Sequence, residues 1–150
     1  MNYHHAFHAG NFADVLKHSV LVGLLEALAR KPAAFCYVDT HAGAGRYDLA
    51  GAEAAKTGEA AAGVLRLADT TDLPGMLGRY VELMRALDPS LRICPGSPLI
   101  AARLLREQDR AQLFELQPAE AAELRALFRG DPRIGVHERD GYAALKALLP

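Results

Sequence analysis

The chain is 150 residues long, a length typical of one domain and sufficient to bury a hydrophobic core. Its formal net charge of −1 lacks the basic excess of many nucleic-acid-binding domains, so charge alone makes such a partner a minority hypothesis. Two cysteines cannot form a disulfide framework, and charged residues interrupt the most apolar stretch, Val15 to Ala29. With no apolar signal segment at the N-terminus, we expect a cytoplasmic protein without a membrane partner.

The first predicted helix runs from Phe12 to Arg30. Asn11 is a suitable N-cap, Asp14 places an acid in the first turn, and Lys31-Pro32 ends the helix. The second half of this segment is apolar on most sides. We therefore expect it to be buried on more than one face.

Three short apolar segments are predicted to be buried strands: Ala33 to Asp39, Gln112 to Leu116 and Arg133 to His137. Helices are predicted between and after them: Pro98 to Arg106, Pro118 to Phe128 and Gly141 to Leu149. Ser97 is predicted to cap the first of these helices, with Pro98 in its first position. Strands that alternate with helices predict an α/β fold with a parallel sheet.

Between residues 46 and 93 the sequence is rich in alanine, glycine and charge. It predicts helices near Glu59 to Ala68 and Gly75 to Leu87, and no strand. We interpret this segment as a helical insertion, so that 1–45 and 94–150 form one α/β domain. The chain stops after a helix where the alternation calls for another strand, so we expect a truncated fold or a partner that covers the sheet edge.

The loop after the first strand has the sequence Asp39-Thr40-His41-Ala42-Gly43-Ala44-Gly45. Its glycines allow a sharp turn and a close approach of the backbone to a ligand. A dinucleotide fingerprint would need a third glycine at the position of Asp48, so the loop better suits a nucleoside without phosphates. The alternative is a glycine turn that only closes a strand.

Each predicted strand ends in or near an acid, namely Asp39, Glu115 and Asp140. Ligands of parallel sheets bind at the carboxyl ends of the strands. Glu115 could accept both ribose hydroxyls, and Asp140 could accept from an adenine amino group, with Gly141 allowing close approach. Acids also end strands because loops are solvated, but three of them beside a glycine turn favour a nucleoside site.

Polar and aromatic residues crowd the first eighteen positions. Asp14, Lys17 and His18 share one helical face, and unpaired charges at the mouth of a buried helix are costly unless they serve a site. Two alternatives stay open: a solvated N-terminus, and a weak metal pair of His4 with His8. We expect no metal, because no cysteine joins these histidines and the usual ligand spacings are absent.

Four segments closely resemble the RlmJ family of bacterial 23S ribosomal RNA adenine-N6 methyltransferases, and the resemblance extends from Tyr3 to Pro150. They are Phe7 to His18, Asp39 to Tyr47, Pro95 to Ala101 and Leu105 to Asp109. The resemblance implies a Rossmann-like S-adenosylmethionine-dependent methyltransferase fold, with a helical subdomain inserted at 46–93. It also implies 23S ribosomal RNA, free of ribosomal proteins, as the partner.

The resemblance further implies the residues that contact each ligand. The implied S-adenosylmethionine contacts are His18, His41, Ser97, Glu115, Asp140 and Gly141. The implied RNA contacts are Tyr3, His5 and Lys17. Glu115 and Asp140 agree with the reasoning from strand ends, whereas His18, His41 and Ser97 rest on the resemblance alone.

The family carries its catalytic residues in an Asp-Pro-Pro-Tyr motif on the following strand. The motif does not occur in these 150 residues, so its aspartate would lie beyond Pro150 and the chain holds no catalytic residue. We expect this chain to be the N-terminal part of the enzyme and to be inactive alone. The alternative is a non-catalytic fragment that binds S-adenosylmethionine or RNA.

Overall fold

A computed structural model describes residues 5–67 and 70–148. Tyr3, a predicted RNA contact, and His4 lie outside the described residues. The chain divides into two compact units. The first unit comprises Met1–Leu24 with Arg46–Pro95, and the second comprises Leu25–Gly45 with Gly96–Pro150. Residues 46–93 thus belong to the first unit, and their interpretation as an inserted subdomain stays a prediction.

The described residues form five strands and seven α-helices. The strands are β1 (Cys36–Asp39), β2 (Arg46–Asp48), β3 (Ile93–Pro95), β4 (Arg110–Glu115) and β5 (Ile134–Glu138). The α-helices are α1 (Phe12–Ala29), α2 (Ala52–Thr57), α3 (Glu59–Ala62), α4 (Gly75–Leu87), α5 (Ser97–Leu104), α6 (Pro118–Leu127) and α7 (Gly141–Leu148). Two 3₁₀ turns, His5–Phe7 and Val64–Leu67, complete the described structure.

The second unit is built on a parallel sheet with the strand order β1-β4-β5. Leu113 on β4 and Leu124 on α6 are fully buried in the core between the sheet and its helices. The expected α/β class and the three parallel strands are confirmed. Since all three strands run the same way, their carboxyl ends meet at one edge of the sheet.

The first unit contains a two-stranded antiparallel sheet, so the expectation of no strand between Arg46 and Ile93 is wrong. β2 pairs with β3, with Tyr47 opposite Cys94. The guanidinium of Arg92 binds the carboxylate of Asp48 with distances of 3.0 Å and 2.9 Å beside this pair. Strands of three residues are too short to produce the alternation by which a strand is recognised.

The helix expected near Glu59 to Ala68 is interrupted at Gly63. A Cβ at this position would lie 2.1 Å from the carbonyl oxygen of Gly10, and the next residue, Val64, donates its N–H to that oxygen at 2.8 Å. The chain therefore passes closely against the segment that precedes α1. α4 has the bounds that the sequence predicts and buries Tyr80 and Met84.

α1 begins as predicted, because the N–H of Asp14 donates to Oδ1 of Asn11 at 2.9 Å. The expected burial of its second half on more than one face is wrong. Val22 and Leu25 are buried, but the side chains of Val20, Leu24 and Leu28 are exposed. A single face of the helix is therefore buried. None of the helices in the described ranges is long and apolar enough to cross a membrane.

Candidate functional site

The glycine loop after β1 has the backbone conformation that its sequence predicts. Gly43 and Gly45 adopt φ values of 63° and 83°, in the left-handed region that glycine tolerates. A Cβ on Gly45 would lie 2.8 Å from the side chains of both Leu124 and Leu127. The loop therefore packs against α6 as only glycine permits.

Glu115 fastens this loop to the end of β4. Its Oε2 accepts from the N–H of Gly43 at 2.8 Å, and its Oε1 accepts from the N–H of Gln117 at 2.7 Å. The residue is 8% exposed. An ionised carboxylate offers about four acceptor positions, so each oxygen can accept one further hydrogen bond. This carboxylate can hold the loop and a pair of hydroxyl groups at the same time.

Asp39, at the end of β1, collects three donors on its carboxylate. Its Oδ2 accepts from the hydroxyl of Ser97 at 2.6 Å and from that of Tyr37 at 2.9 Å, and its Oδ1 accepts from the N–H of His41 at 3.1 Å. Burial and the neighbouring Asp39 raise the pKa of Tyr37, so its phenol remains a donor. Two predicted cofactor residues, His41 and Ser97, therefore both donate hydrogen bonds to the carboxylate of Asp39.

The predicted capping role of Ser97 is wrong. Gly96 precedes α5 and makes no side-chain cap, and Ser97 already lies within the helix. Its hydroxyl binds Asp39, a charged acceptor, which forms a stronger hydrogen bond than a neutral backbone group does. α5 also ends at Leu104, two residues before the predicted end.

Asp140 and Gly141 lie at the start of α7. Asp140 caps the helix, because its Oδ1 accepts from the N–H of Ala143 at 2.8 Å. A Cβ on Gly141 would lie 2.2 Å from the carbonyl oxygen of Thr40, so α7 starts in direct contact with the loop after β1. The two predicted residues thus adjoin the loop that carries His41.

An aromatic pair adjoins these residues. The ring of His41 meets that of Tyr142 edge-on, with 5.0 Å between the centroids, and both residues are exposed. Sequence reasoning missed Tyr142, just as it missed Tyr37. Aromatic residues at such positions usually only pack, so the sole signal for Tyr142 was its place directly after Asp140-Gly141.

The first unit holds the predicted N-terminal cluster around Asp14. Its Oδ2 accepts from Nε2 of His5 at 2.8 Å and from the N–H of Gly10 at 3.0 Å, and Nζ of Lys17 lies 2.9 Å from Oδ1. Burial raises the pKa of Asp14, but the hydrogen bond and attraction of His5 and the bond from Lys17 outweigh it and hold that pKa below its ordinary value. Asp14 is therefore a buried, ionised carboxylate.

His18, a predicted cofactor contact, belongs to the same cluster of the first unit. It is buried, and its ring lies 5.7 Å from that of the buried Tyr80, measured between centroids. Burial, the nearby Cys94 and the charge of Asp14 raise the pKa of the Tyr80 phenol. His18 therefore lies beside a phenol that stays protonated, and it interacts electrostatically with the carboxylate of Asp14.

His8 pairs with an acidic residue of the first unit. Its Nδ1 lies 2.9 Å from Oε1 of Glu59, whose Oε2 accepts from the side chain of Asn11. Across the described ranges, no three His, Cys, Asp or Glu side chains are grouped so that they could hold a metal ion. The alternative of a pair with His4 falls outside those ranges.

Comparison with known proteins gives concordant matches. The family model for the ribosomal RNA large subunit methyltransferase D, RlmJ, matches residues 32–150. Two proteins named ribosomal RNA large subunit methyltransferase J are similar to the whole chain, at 50% identity in Haemophilus influenzae and 49% in Escherichia coli K12. The chain spans 54% of the length of each of these relatives.

A solved structure also matches. The crystal structure of a Legionella pneumophila protein superposes with a TM-score of 0.84 at 38% sequence identity, over 95% of this chain and 53% of the other. This likeness confirms the Rossmann-like methyltransferase fold class that was expected from the sequence. Both the matched residues and the fold lead to the same assignment: the chain belongs to the RlmJ family of large-subunit ribosomal RNA methyltransferases.

Proposed function

We propose that this chain is the cofactor-binding, N-terminal part of an S-adenosylmethionine-dependent enzyme that methylates N6 of an adenine in 23S ribosomal RNA. The observation that carries the cofactor proposal is the carboxylate of Glu115, which binds Gly43 of the glycine loop at the carboxyl edge of the sheet. The relatives named ribosomal RNA methyltransferases support the reaction class and the RNA partner.

The residues of the second unit fit the chemistry of this cofactor. Glu115 has acceptor capacity for the two ribose hydroxyls, and the carboxylate of Asp140 can accept from the adenine amino group. Gly141 and the loop glycines leave room for close approach of the ligand. His41 and Ser97, tied through Asp39, are proposed as further contacts, and His18 of the first unit stays a predicted contact from the resemblance.

When bound, S-adenosylmethionine supplies the electrophilic methyl group. The residues of this chain then serve to bind and orient it, since orientation of the reacting groups accounts for much of the rate of a bimolecular transfer. The proposed RNA contacts are His5 and Lys17, together with Tyr3. The target adenine must leave its stack to be reached, and nothing in the 150 residues corresponds to the motif that would hold its amino group.

We predict that the 150-residue chain binds the cofactor but does not transfer the methyl group. Titration calorimetry with S-adenosylhomocysteine should detect binding, and a methylation assay on deproteinised large-subunit RNA should detect no product. Turnover by the chain would contradict the proposed inactivity. Absence of heat with S-adenosylhomocysteine would contradict the cofactor assignment.

The alternative is a non-catalytic fragment that binds S-adenosylmethionine or RNA. The Asp-Pro-Pro-Tyr motif of the family does not occur within these 150 residues. Fusing the corresponding C-terminal residues of the Escherichia coli relative to this chain distinguishes the two proposals. Methyl transfer by the fusion supports the enzyme, provided that exchange of the fused motif's aspartate for alanine abolishes it.

We also propose that the protein acts in the cytoplasm, without a membrane partner or a bound metal. Balanced composition and the lack of a metal-ligand spacing support this. Metal analysis of the purified protein tests the proposed absence of a bound metal. A stoichiometric amount of zinc would contradict it.

A further inference from the structure

Asp14 is an unusual residue for the first turn of a helix because its carboxylate is 1% exposed. Acids are common at this position, where the positive end of the helix dipole favours them, but they are usually solvated. Here the carboxylate accepts from the N–H of Gly10, the residue before the cap, at 3.0 Å. That bond folds the segment preceding α1 back onto the helix.

The same carboxylate fixes the orientation of His5. Nε2 of His5 lies 2.8 Å from Oδ2, and since an ionised carboxylate only accepts, Nε2 carries the hydrogen. The ring also packs edge-on against Tyr47, with 5.0 Å between the centroids. The imidazole is thus held both by the hydrogen bond at Nε2 and by the ring of Tyr47, and 19% of the side chain is exposed.

Lys17 is held on the other oxygen. Its ammonium lies 2.9 Å from Oδ1, one helical turn along α1, and its side chain is 60% exposed. A lysine is a flexible point charge with a large conformational entropy, and an ion pair with a rigid carboxylate restricts where that charge can reach. Asp14 thus connects an exposed cation and a partly exposed imidazole.

We propose that Asp14 is a positioning residue for RNA, whose buried carboxylate sets the imidazole of His5 and the ammonium of Lys17 for contact with the substrate. The inference rests on the proposed function, which names His5 and Lys17 as RNA contacts but gives no role to Asp14. Asp14 itself has almost no exposed surface and acts through its two partners. Its net effect on RNA binding is favourable although it is an anion.

The sign of the charge makes this inference testable. Removal of a negative charge from a surface that faces phosphates should strengthen RNA binding if only net charge matters. Asp14→Asn removes one such charge and keeps the size of the side chain. If the carboxylate positions His5 and Lys17, the variant must bind RNA more weakly, contrary to the charge effect.

Glu59→Gln is the matched control. Glu59 also pairs with a histidine of the N-terminal segment, since its Oε1 lies 2.9 Å from Nδ1 of His8. Its side chain is 36% exposed, against 1% for Asp14, and its partner is no proposed RNA contact. The control removes the same charge in the same unit. We expect it to leave RNA affinity unchanged or slightly higher.

The test measures filter binding of deproteinised large-subunit RNA to the 150-residue chain at several salt concentrations. We expect Asp14→Asn to weaken binding about tenfold, the order expected for loss of one charge-assisted hydrogen bond. The slope of log affinity against log salt should also fall by about 0.7–0.9, the value for one lost phosphate contact. Neither change should occur in Glu59→Gln.

A double-mutant comparison separates positioning from a general loss of structure. In a background with both His5→Ala and Lys17→Ala, Asp14→Asn should have no further effect on RNA affinity. A further tenfold loss would overturn the inference, as would tight binding by the single variant Asp14→Asn. A wild-type chain without RNA affinity would instead overturn the proposed RNA partner, and this inference with it.

A measurement on the wild-type chain covers the case in which Asp14→Asn does not fold. The nitrogen resonances of the imidazole report which ring nitrogen carries hydrogen. We expect hydrogen on Nε2 of His5, and a shift of the His5 and Lys17 side-chain signals when RNA is added. Signals that stay unchanged at saturating RNA would overturn the inference.

Discussion

Glu115 and Asp39 each combine a structural bond with a place at the carboxyl edge of the sheet. Glu115 accepts from the backbone of the glycine loop, and Asp39 accepts from Ser97 and Tyr37. The sequence predicted that acids would end these strands, because strand ends and turn residues are local signals. It could not predict that Ser97 would bind Asp39 rather than cap its own helix, since the two residues are 58 positions apart.

Glu115→Ala should weaken binding of S-adenosylhomocysteine by about 1.5–3 kcal/mol, because hydrogen bonds to a charged group are lost. Titration calorimetry measures the change. Glu138→Gln is the matched control, since Glu138 lies opposite Glu115 on β5 and its carboxylate binds the exposed Arg125 at 3.0 Å. Equal affinities of Glu115→Ala and the wild type would mean that Glu115 only fastens the loop.

At the scale of elements, helices with strong end signals were predictable and short strands were not. The cap at Asn11 and the length of α1 identified that helix, and Gly75–Leu87 was predicted to the residue. β2 and β3 have three residues each, and each residue pairs with one that lies 45–49 positions away. The burial of α1 was misjudged because an apolar sequence does not reveal which faces have neighbours.

α1 carries an exposed apolar stripe at intervals of four residues, formed by Phe12, Leu16, Val20 and Leu24. Leu16→Glu should change the free energy of unfolding by less than about 0.5 kcal/mol, as surface substitutions do. Chemical denaturation measures the change. The stripe lies on one face because residues four apart are neighbours on a helix.

Val22→Glu provides the contrast on the same helix. Val22 is 1% exposed, so an unpaired carboxylate there would be buried, and we expect unfolding or a loss of several kcal/mol, on the order of the desolvation of a charge. If Leu16→Glu destabilised the chain as strongly as Val22→Glu, the side chains of the apolar stripe would be buried in solution and not exposed.

At the scale of the molecule, the alternation of strands and helices predicted the parallel sheet of the second unit. Which segments of the chain make up the first unit could not be predicted in the same way. Met1–Leu24 joins Arg46–Pro95 through contacts such as His8 with Glu59, 51 residues apart. The burial of two carboxylates was also not predictable. Asp14 in the first unit and Asp109 in the second are buried, but their local sequence contexts are those of ordinary surface acids.

Asp109 organises the connection between α1 and β1 through Arg106. The carboxylate accepts from the N–H of Phe35 at 3.1 Å and from three donors of Arg106 at 2.8–2.9 Å. The guanidinium also binds the carbonyl oxygens of Ala29, Lys31 and Ala33. Hydrogen bonds from Arg106 hold the pKa of Asp109 below its ordinary value, although burial acts to raise it.

This lowered pKa predicts how stability depends on pH. A carboxyl group with a lower pKa in the folded state contributes stability that is present above its unfolded pKa of about 3.9 and is lost as the pH falls towards the folded pKa. At pH about 7, Asp109→Asn should reduce the free energy of unfolding by about 3–5 kcal/mol, because the guanidinium loses its buried partner. Urea denaturation should find a smaller difference from the wild type at pH about 3.

Asp48→Asn is the control for this prediction, because Asp48 also binds a guanidinium, that of Arg92, but is exposed. Its effect on stability should be smaller and should fade in about 1 M salt, where the Debye length is about 3 Å, whereas the effect of Asp109→Asn should persist. An Asp109→Asn effect that was equal at both pH values would contradict the lowered pKa. One that vanished in salt would mean that the pair is solvated, and the connection between α1 and β1 would then depend on the carbonyl bonds of Arg106.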